Sequence, residues 1–518
     1  MSSTPASTTT GDDAARHVLV VRAEGGTGAA SGPTDAALLA QSWPAWSVVR
    51  VPDTAETGLA LLPDAWQVPD GVSPTAVVVL RDGDVLEPTA LERAVGAMTD
   101  GVDLVSWDSV EVDGSPRVRP GWSPDLLLST DYLAGAVAVR PSLLETARTR
   151  LGDLGVDAPW CMWTALLAVD LPMDRAVELP EPLATQDRVE VSDDLAARVV
   201  TVGLRARGWP ARASVVELDS GARRVELEWA PEAWPTVTVI IPTRHNTALL
   251  EPCLTSLRTT QGPAFDVLIV DNGGRSSEHE AWYDRDFGFP VTVRWWDEQP
   301  FNYSRVNNVA VSESTGDVVV LLNDDTEVSD PRWLAELVGL ATRSGIGCVG
   351  MQLIDGRGLI QHNGVWLGLG GFAGHLFAGL EPGADSMFGS TTWYRNTLAV
   401  TGACLAVRRD VWLEVGGLDE SLVLCGSDVV LGLDVHRIGL RNVCSPLAGV
   451  LHLESATRSG APVGDQVRSL ELYRPWHDAG DPYLSPRLSL RGNRPHLRPD
   501  DEPSPIVETP LWRPVGVR

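Results

Sequence analysis

The spacing of apolar positions changes along the chain, and the change divides it. Residues 18–21, 46–51 and 76–80 are short runs rich in β-branched or aromatic side chains that predict strands, with 36–39 and 91–98 as parts of the intervening helices. At residues 231–235 a charged, strand-like stretch passes into a strongly apolar one across a pair of prolines, which reads as a domain boundary. Beyond it the rhythm is sharper. Residues 236–241 read as a strand bounded by Pro242, and Leu249, Leu250, Cys253, Leu254 and Leu257 then recur at helical spacing. The run 267–270 stops at Asp271-Asn272-Gly273-Gly274, and the run 318–322 stops at Asn323-Asp324-Asp325. Asp330 reads as the cap and Pro331 as the first residue of a helix whose inner face carries Trp333, Leu334, Leu337 and Val338. Apolar strands separated by such helices predict an α/β fold with a mainly parallel central sheet covered on both faces.

A chain of 518 residues exceeds what one core usually organises. The organisation expected is a disordered tail (1–15), a first domain (16–230), a second and catalytic domain (235–455), and a Pro-rich extension (456–518) that holds one short helix at 467–472 and otherwise packs as a tail. The net charge of -28 disfavours a nucleic-acid partner and offers no broad polybasic attraction to anionic lipid. Six cysteines without a CxxC pair, mostly within apolar segments, read as reduced packing residues of a cytoplasmic protein. The polar, acidic start lacks the pattern of a secretory signal, and no apolar run is long enough to span a bilayer, so a membrane-linked substrate would be met from the aqueous side.

In a parallel sheet, polar residues at successive strand ends share one crevice, which gives Asp271, Asp324 and Asp325 a common address. Carboxylates there can accept from a nucleoside, and with a divalent cation they can offset the charge of a diphosphate. The same Asn-Asp sequences also make ordinary turns. No Walker-type loop is present, and the turn IPTRHN lacks the glycines of a dinucleotide-binding fold, so an ATPase and an oxidoreductase both fit poorly. In CGSDVVLGLDVHRIGLR, Gly426 or Ser427 can begin a helix with Val429, Leu433 and Ile438 as its apolar positions, which puts Asp428 in the first turn, where the helix dipole favours a carboxylate. That placement suits a general base and equally suits a residue that only stabilises the helix. His452, alone at a predicted strand end, reads as a structural or surface residue as readily as a ligand.

The ordered segments VTVIIPTRHNTALLEPCLTSL, VLIVDNGG, FNYSRVNNVAVSESTGDVVVLLNDDTEV, LIQHNGVWLGLGGFAGHLFAG, AVTGACLAVRRDVWLEVGGLDE and LHLESATR, together spanning residues 237–458, resemble bacterial family 2 glycosyltransferases of the GT-A fold. The resemblance implies inverting transfer from a nucleoside-diphosphate sugar to a saccharide or lipid-linked saccharide acceptor, in the synthesis of cell-envelope or extracellular polysaccharide. By position it implies that Thr243 and Asp271 hold the nucleoside. Asn323-Asp324-Asp325 matches the DxD element, which puts Asp324 near ribose or metal and makes Asp325 the direct ligand of Mg²⁺ or Mn²⁺. His452, with Glu454 nearby, matches the histidine that completes metal or diphosphate binding, and Asp428 matches the general base. Arg305, with Asn307 and Asn308, reads as a donor-side contact, and Arg305 equally as a helix cap or ion-pair partner. Many relatives carry a second acid two places after the base, where this chain has Val430. His362, His375 and the glycine-rich stretch 367–374 suit either an acceptor-side wall or close backbone packing.

The first half resembles a degenerate copy of the same fold, carried by QSWPAWSVVRVPD, VVVLRDGDVLEP and VRPGWSPDLLLSTDYLAGAVAVRPSLL. There Asp82 and Asp84 keep DxD spacing, Arg81 and Gly83 are read as falling where acids are common, and APWCMWTALLAVD lacks the later acid. A noncatalytic carbohydrate-binding or assembly protein is the alternative reading. Peripheral contact with the inner face of the plasma membrane and an oligomeric state are both compatible with the sequence.

Overall fold

The computed structural model describes residues 16–24, 32–52, 62, 73–154, 159–187, 191–453 and 462–502; the tail expected at 1–15 and Glu454 lie outside them. The chain forms two compact units, Met1–Gly208 and Trp209–Arg518.

In the first unit the expected strands are found as His17–Glu24, Trp46–Pro52 and Pro74–Arg81, and the expected helices as Pro33–Leu39 and Ala90–Ala97. The sheet runs Trp46–Pro52, His17–Glu24, Pro74–Arg81, Val137–Val139, Leu104–Glu111, Ala176–Gln186, Val85–Leu86, with Pro116–Arg117 paired to Leu104–Glu111. Val18, Val20, Val78, Leu80 and Trp107 sit at its centre.

The second unit repeats this order strand for strand. Its sheet runs Phe265–Asp271, Val237–Thr243, Val318–Leu322, Cys404–Arg408, Ile346–Ile354, Arg441–His452, Thr326–Val328, with Val291–Trp295 added at one edge and Ile360–His362 paired to Ile346–Ile354. Corresponding pairs share orientation: the strands around His17–Glu24 and around Val237–Thr243 are parallel to them. Val137–Val139 and Cys404–Arg408 each run antiparallel to both neighbours, so both sheets are mixed. The first unit is thus a second copy of one α/β topology.

Register locates what the copy has lost. Val85 pairs with Thr185 as Thr326 pairs with His452, which sets Asp82-Gly83-Asp84 against Asn323-Asp324-Asp325, so that Gly83 falls at an acid's place as read and Arg81 falls one residue ahead of the element. Asp84 keeps the place of Asp325, buried as it is, but accepts from the backbone N–H of Arg81, and Thr185 stands where His452 does. The helix Met162–Ala168 presents no acid in its first turn, and its Trp163 is buried with its indole N–H on the Leu127 carbonyl.

The second unit begins ahead of residue 235 because the hairpin Ala211–Glu217/Arg223–Trp229 packs on it. Trp229 donates to the carboxylate of Glu336, on the helix Trp333–Ala341, at 2.8 Å, and Tyr394 and Ser445 donate to the same carboxylate at 2.7 Å each. Burial pushes the Glu336 carboxyl above its usual pKa, against those three donors. Glu336→Ala leaves three buried donors without their acceptor, and the expected loss is about 3 kcal/mol or more, read as a lowered denaturant midpoint. A variant as stable as the parent would show that the network does not hold the hairpin. The helix itself starts at Trp333, with Arg332 at the cap position. Asp330 and Pro331 therefore lie just ahead of the helix as assigned, and the Asp330 carboxylate accepts from the Arg332 backbone N–H and guanidinium at its entrance.

The C-terminal segment departs furthest from expectation. In place of a short helix at 467–472 there is a 17-residue helix, Val463–Ala479. Its buried residues are Asp465, Ser469, Tyr473 and Trp476, while Val463, Val467 and Leu470 are exposed. A helix with polar and aromatic groups inward and aliphatic groups outward reverses the pattern from which amphipathic helices are read.

Candidate active site

The strand Val318–Leu322 is buried throughout, so its polar continuation emerges at the sheet's edge. Adjacent residues there turn apart. Asp324 accepts from the Thr243 hydroxyl at 2.7 Å, whereas Asp325 faces His452, with Oδ1 3.1 Å from Nε2. Pairing of Thr326 with His452 across antiparallel strands fixes that second contact.

The His452 ring is oriented from behind by Gln361, whose Oε1 lies 2.8 Å from Nδ1, and Asn323 Nδ2 lies 3.4 Å from Nε2. Gln361 accepts from Nδ1–H, which leaves the Nε2 lone pair directed at the Asp325 carboxylate. Two acceptor groups converging in this way suit a shared cation. With 3.1 Å between them, the two atoms could both reach one divalent cation such as Mg²⁺ or Mn²⁺.

Asp325 and His452 line a cavity of about 640 Å³ together with Asn323, Tyr303 and Asp428. Asp428 stands in the first turn of the helix Ser427–Arg437, with Gly426 as its cap residue. Its Oδ2 accepts from Gly402 N–H and its Oδ1 from Val429 N–H, both at 2.9 Å. Tyr303 donates to the Gly402 carbonyl at 3.3 Å, and a Cβ at position 402 would come within 3.2 Å of its hydroxyl, so glycine lets the floor approach both groups. Of the apolar positions expected on this helix, Val429 and Leu433 are buried, whereas Ile438 lies past its end and is exposed.

His375 lines the same cavity, backed by His362 at 2.7 Å between the two Nδ1 atoms. Full burial, with His375 and His452 nearby, holds His362 well below the usual imidazole pKa. The backbone N–H groups of Gly364 and Thr401 point at His362 Nε2 at 3.2 and 3.4 Å, so that nitrogen accepts and Nδ1 carries the proton. His375 then accepts at Nδ1 and has its own N–H at Nε2.

Thr243, Asp271, Asp324 and Arg305 do not line this cavity. Asp271 is fully buried and accepts from Gly273 N–H and the Tyr283 hydroxyl, both at 2.7 Å, with His245 Nδ1 at 2.9 Å. His279 stacks on His245 at 3.4 Å between centroids. His245, Asp271 and His279 each offer a ligating atom within 4.8 Å of the others, although His279 Nδ1 is at hydrogen-bond distance from the Gly274 carbonyl and the Asp271 oxygens already accept. Arg305 pairs at the surface with Glu298 and Glu420, at 2.8 and 3.3 Å. Asn307 and Asn308 bond to the carbonyls of Tyr303 and Leu418.

Tyr303, Gln361, His245, His279 and Tyr283 were not singled out from the sequence. Only His245 carried a usable signal, two residues past Thr243 in the strand-to-helix turn.

A family model described as Glycosyl transferase family 2 matches residues 238–411. Over 453 residues, 82% of this chain, the sequence is 34% identical to the O-antigen biosynthesis protein RfbC of Myxococcus xanthus, covering 35% of that protein. Over 450 residues, 80% of this chain, it is 33% identical to an uncharacterized protein of Sinorhizobium fredii, covering 49% of it. The chain therefore spans between a third and a half of the length of these curated relatives. Among solved structures it is similar to GalNAc-T7 with UDP, GalNAc and Mn2+, at 16% identity and a TM-score of 0.40, over 48% of this chain and 49% of that one.

Proposed function

We propose, from the match of a Glycosyl transferase family 2 model to residues 238–411, that the second unit is an inverting, metal-dependent glycosyltransferase. In this reading it moves a sugar from a nucleoside-diphosphate donor to a hydroxyl of a saccharide or lipid-linked saccharide, in envelope or extracellular polysaccharide synthesis. The observation that carries the reading is the meeting, in one cavity, of a cation-suited Asp325–His452 pair and a helix-borne carboxylate, Asp428.

Asp325 and His452 hold Mg²⁺ or Mn²⁺, with Gln361 fixing the His452 ring. Bound there, the cation offsets the diphosphate's charge and stabilises it as a leaving group. Thr243, Asp271 and Asp324 serve the nucleoside from the adjoining strand ends. Asp428 removes the proton as the acceptor oxygen bonds to the anomeric carbon, while the carbon–oxygen bond to the diphosphate breaks and its electron pair leaves with the nucleoside diphosphate. One direct displacement inverts the anomeric configuration.

No helix among the described residues is long and apolar enough to cross a membrane, and all six cysteines are free. In this reading the enzyme works at the cytoplasmic face, where a lipid-linked acceptor would be met peripherally. A screen of UDP-, GDP- and dTDP-sugars with Mg²⁺ and with Mn²⁺ tests the activity. Nucleoside diphosphate release that requires the cation is expected, and donor binding without turnover against any acceptor would favour a carbohydrate-binding protein.

A further inference from the structure

We propose that the helix Val463–Ala479, which lies outside the stretch matched by the family model, is the acceptor-side wall of the cavity, and that its Asp465 is the positioning residue for the loop carrying Asp428. The proposal rests on the transferase reading of that cavity.

Asp465 is buried, and its carboxylate accepts from three consecutive backbone N–H groups, those of Val423, Leu424 and Cys425, at 3.0, 2.7 and 3.0 Å. Bonds of this kind to a charged acceptor are roughly twice as strong as neutral ones. One turn and two turns further on, Ser469 and Tyr473 close over Gly426, whose carbonyl accepts from the Tyr473 hydroxyl at 3.1 Å. Gly426 has φ of 89°, and a Cβ there would meet Ser469 Oγ at 2.5 Å and Tyr473 Oη at 2.7 Å. From the other side, the Tyr303 N–H and the Ser304 hydroxyl hold the carbonyls of Val423 and Leu422, at 2.7 and 2.6 Å. Residues 422–426 are therefore fixed from two directions immediately before Asp428. Tyr473 and Asp428 line the same cavity, which puts the helix beside the proposed base.

Asp465, Gln466, Ser469 and Tyr473 all line the cavity. An amide, a hydroxyl and a phenol beside the base suit an acceptor rich in hydroxyl groups.

Asp465→Ala, Asp465→Asn and the double change Gln466→Ala/Ser469→Ala test the two parts in the full chain. In Asp465→Ala, hydrogen exchange at the amides of 423–428 should quicken by about tenfold or more. Donor hydrolysis should fall by about tenfold or more, with affinity for the nucleoside diphosphate and Mn²⁺ within about twofold of the parent. Asp465→Asn, which keeps one acceptor oxygen, should fall between. The double variant should raise KM for octyl glycoside acceptors by about fivefold or more, a larger change than in KM for the donor. Unchanged exchange at 423–428, or hydrolysis lost only in step with nucleotide affinity, overturns the positioning role, and an unchanged acceptor KM overturns the wall. Should the parent release no nucleoside diphosphate from any donor, the transferase reading fails and the wall with it, while the exchange measurement still decides whether Asp465 holds the loop.

Discussion

Asp428→Asn is expected to cut sugar transfer by about 10²-fold or more, the scale of general-base catalysis, while the chain stays folded and binds donor. The two side chains have the same shape, but the amide cannot take the acceptor's proton. Its structural cost is small and local. The carboxylate accepts one backbone N–H on each oxygen, from Val429 and Gly402, and the amide can satisfy only one of them, a loss of about 1 kcal/mol. The cation pair is untouched, because Asp428 takes no part in the approach of Asp325 to His452 or in the Gln361 bond that orients the His452 ring. Single-turnover transfer, calorimetric titration of donor with Mn²⁺ and thermal unfolding together separate lost chemistry from lost structure. Near-parental transfer in the Asn variant would exclude Asp428 as the base.

Asp325→Ala is expected to weaken metal-dependent donor binding by about two orders of magnitude. Loss of a residue that merely orients a ligand costs 10- to 100-fold in metal affinity, so loss of a ligand itself belongs at or beyond the upper end. The strand end on which Asp325 sits is held by other contacts, including Thr326 to the Asn323 carbonyl at 2.7 Å and the backbone pairing with Arg441–His452, so the fold should persist. Whatever affinity remains without metal should be the same in parent and variant, because Thr243, Asp271 and Asp324 lie outside the cavity that Asp325 lines. His452→Ala should produce the same phenotype, and the double variant should lose less than the sum of the two, as residues sharing one ion do. Donor titrations with Mn²⁺ and with chelator make the comparison; equal metal dependence in parent and Asp325→Ala would remove Asp325 from the cation site.

Much of this was legible in the chain itself. Fully buried strands such as 318–322 and one-sided helices such as Thr247–Leu257 write their burial into local periodicity, and the residues that end them, Asp271, Asn323-Asp324-Asp325 and the helix-start Asp428, are visible as breaks in that periodicity. That two related halves follow one another was legible too, through the resemblance of segments in the first half to the same family. Tertiary structure decided which of these groups meet. Asp324 and Asp325 are neighbours in sequence, yet one turns to Thr243 and the other to His452, because the chain leaves the strand there and the next strand's register brings His452 alongside. Arg305, readable as a donor contact or as an ion-pair partner, pairs in this structure with two surface carboxylates, a pairing set by what folds beside it. The helix Val463–Ala479 was hidden for a related reason: its inward face is chosen by backbone N–H groups of a distant loop, and a hydrogen-bonded carboxylate leaves no mark in the spacing of apolar residues. Periodicity records only whether a residue is buried, and partners are settled by strand register and loop packing between segments far apart in the chain.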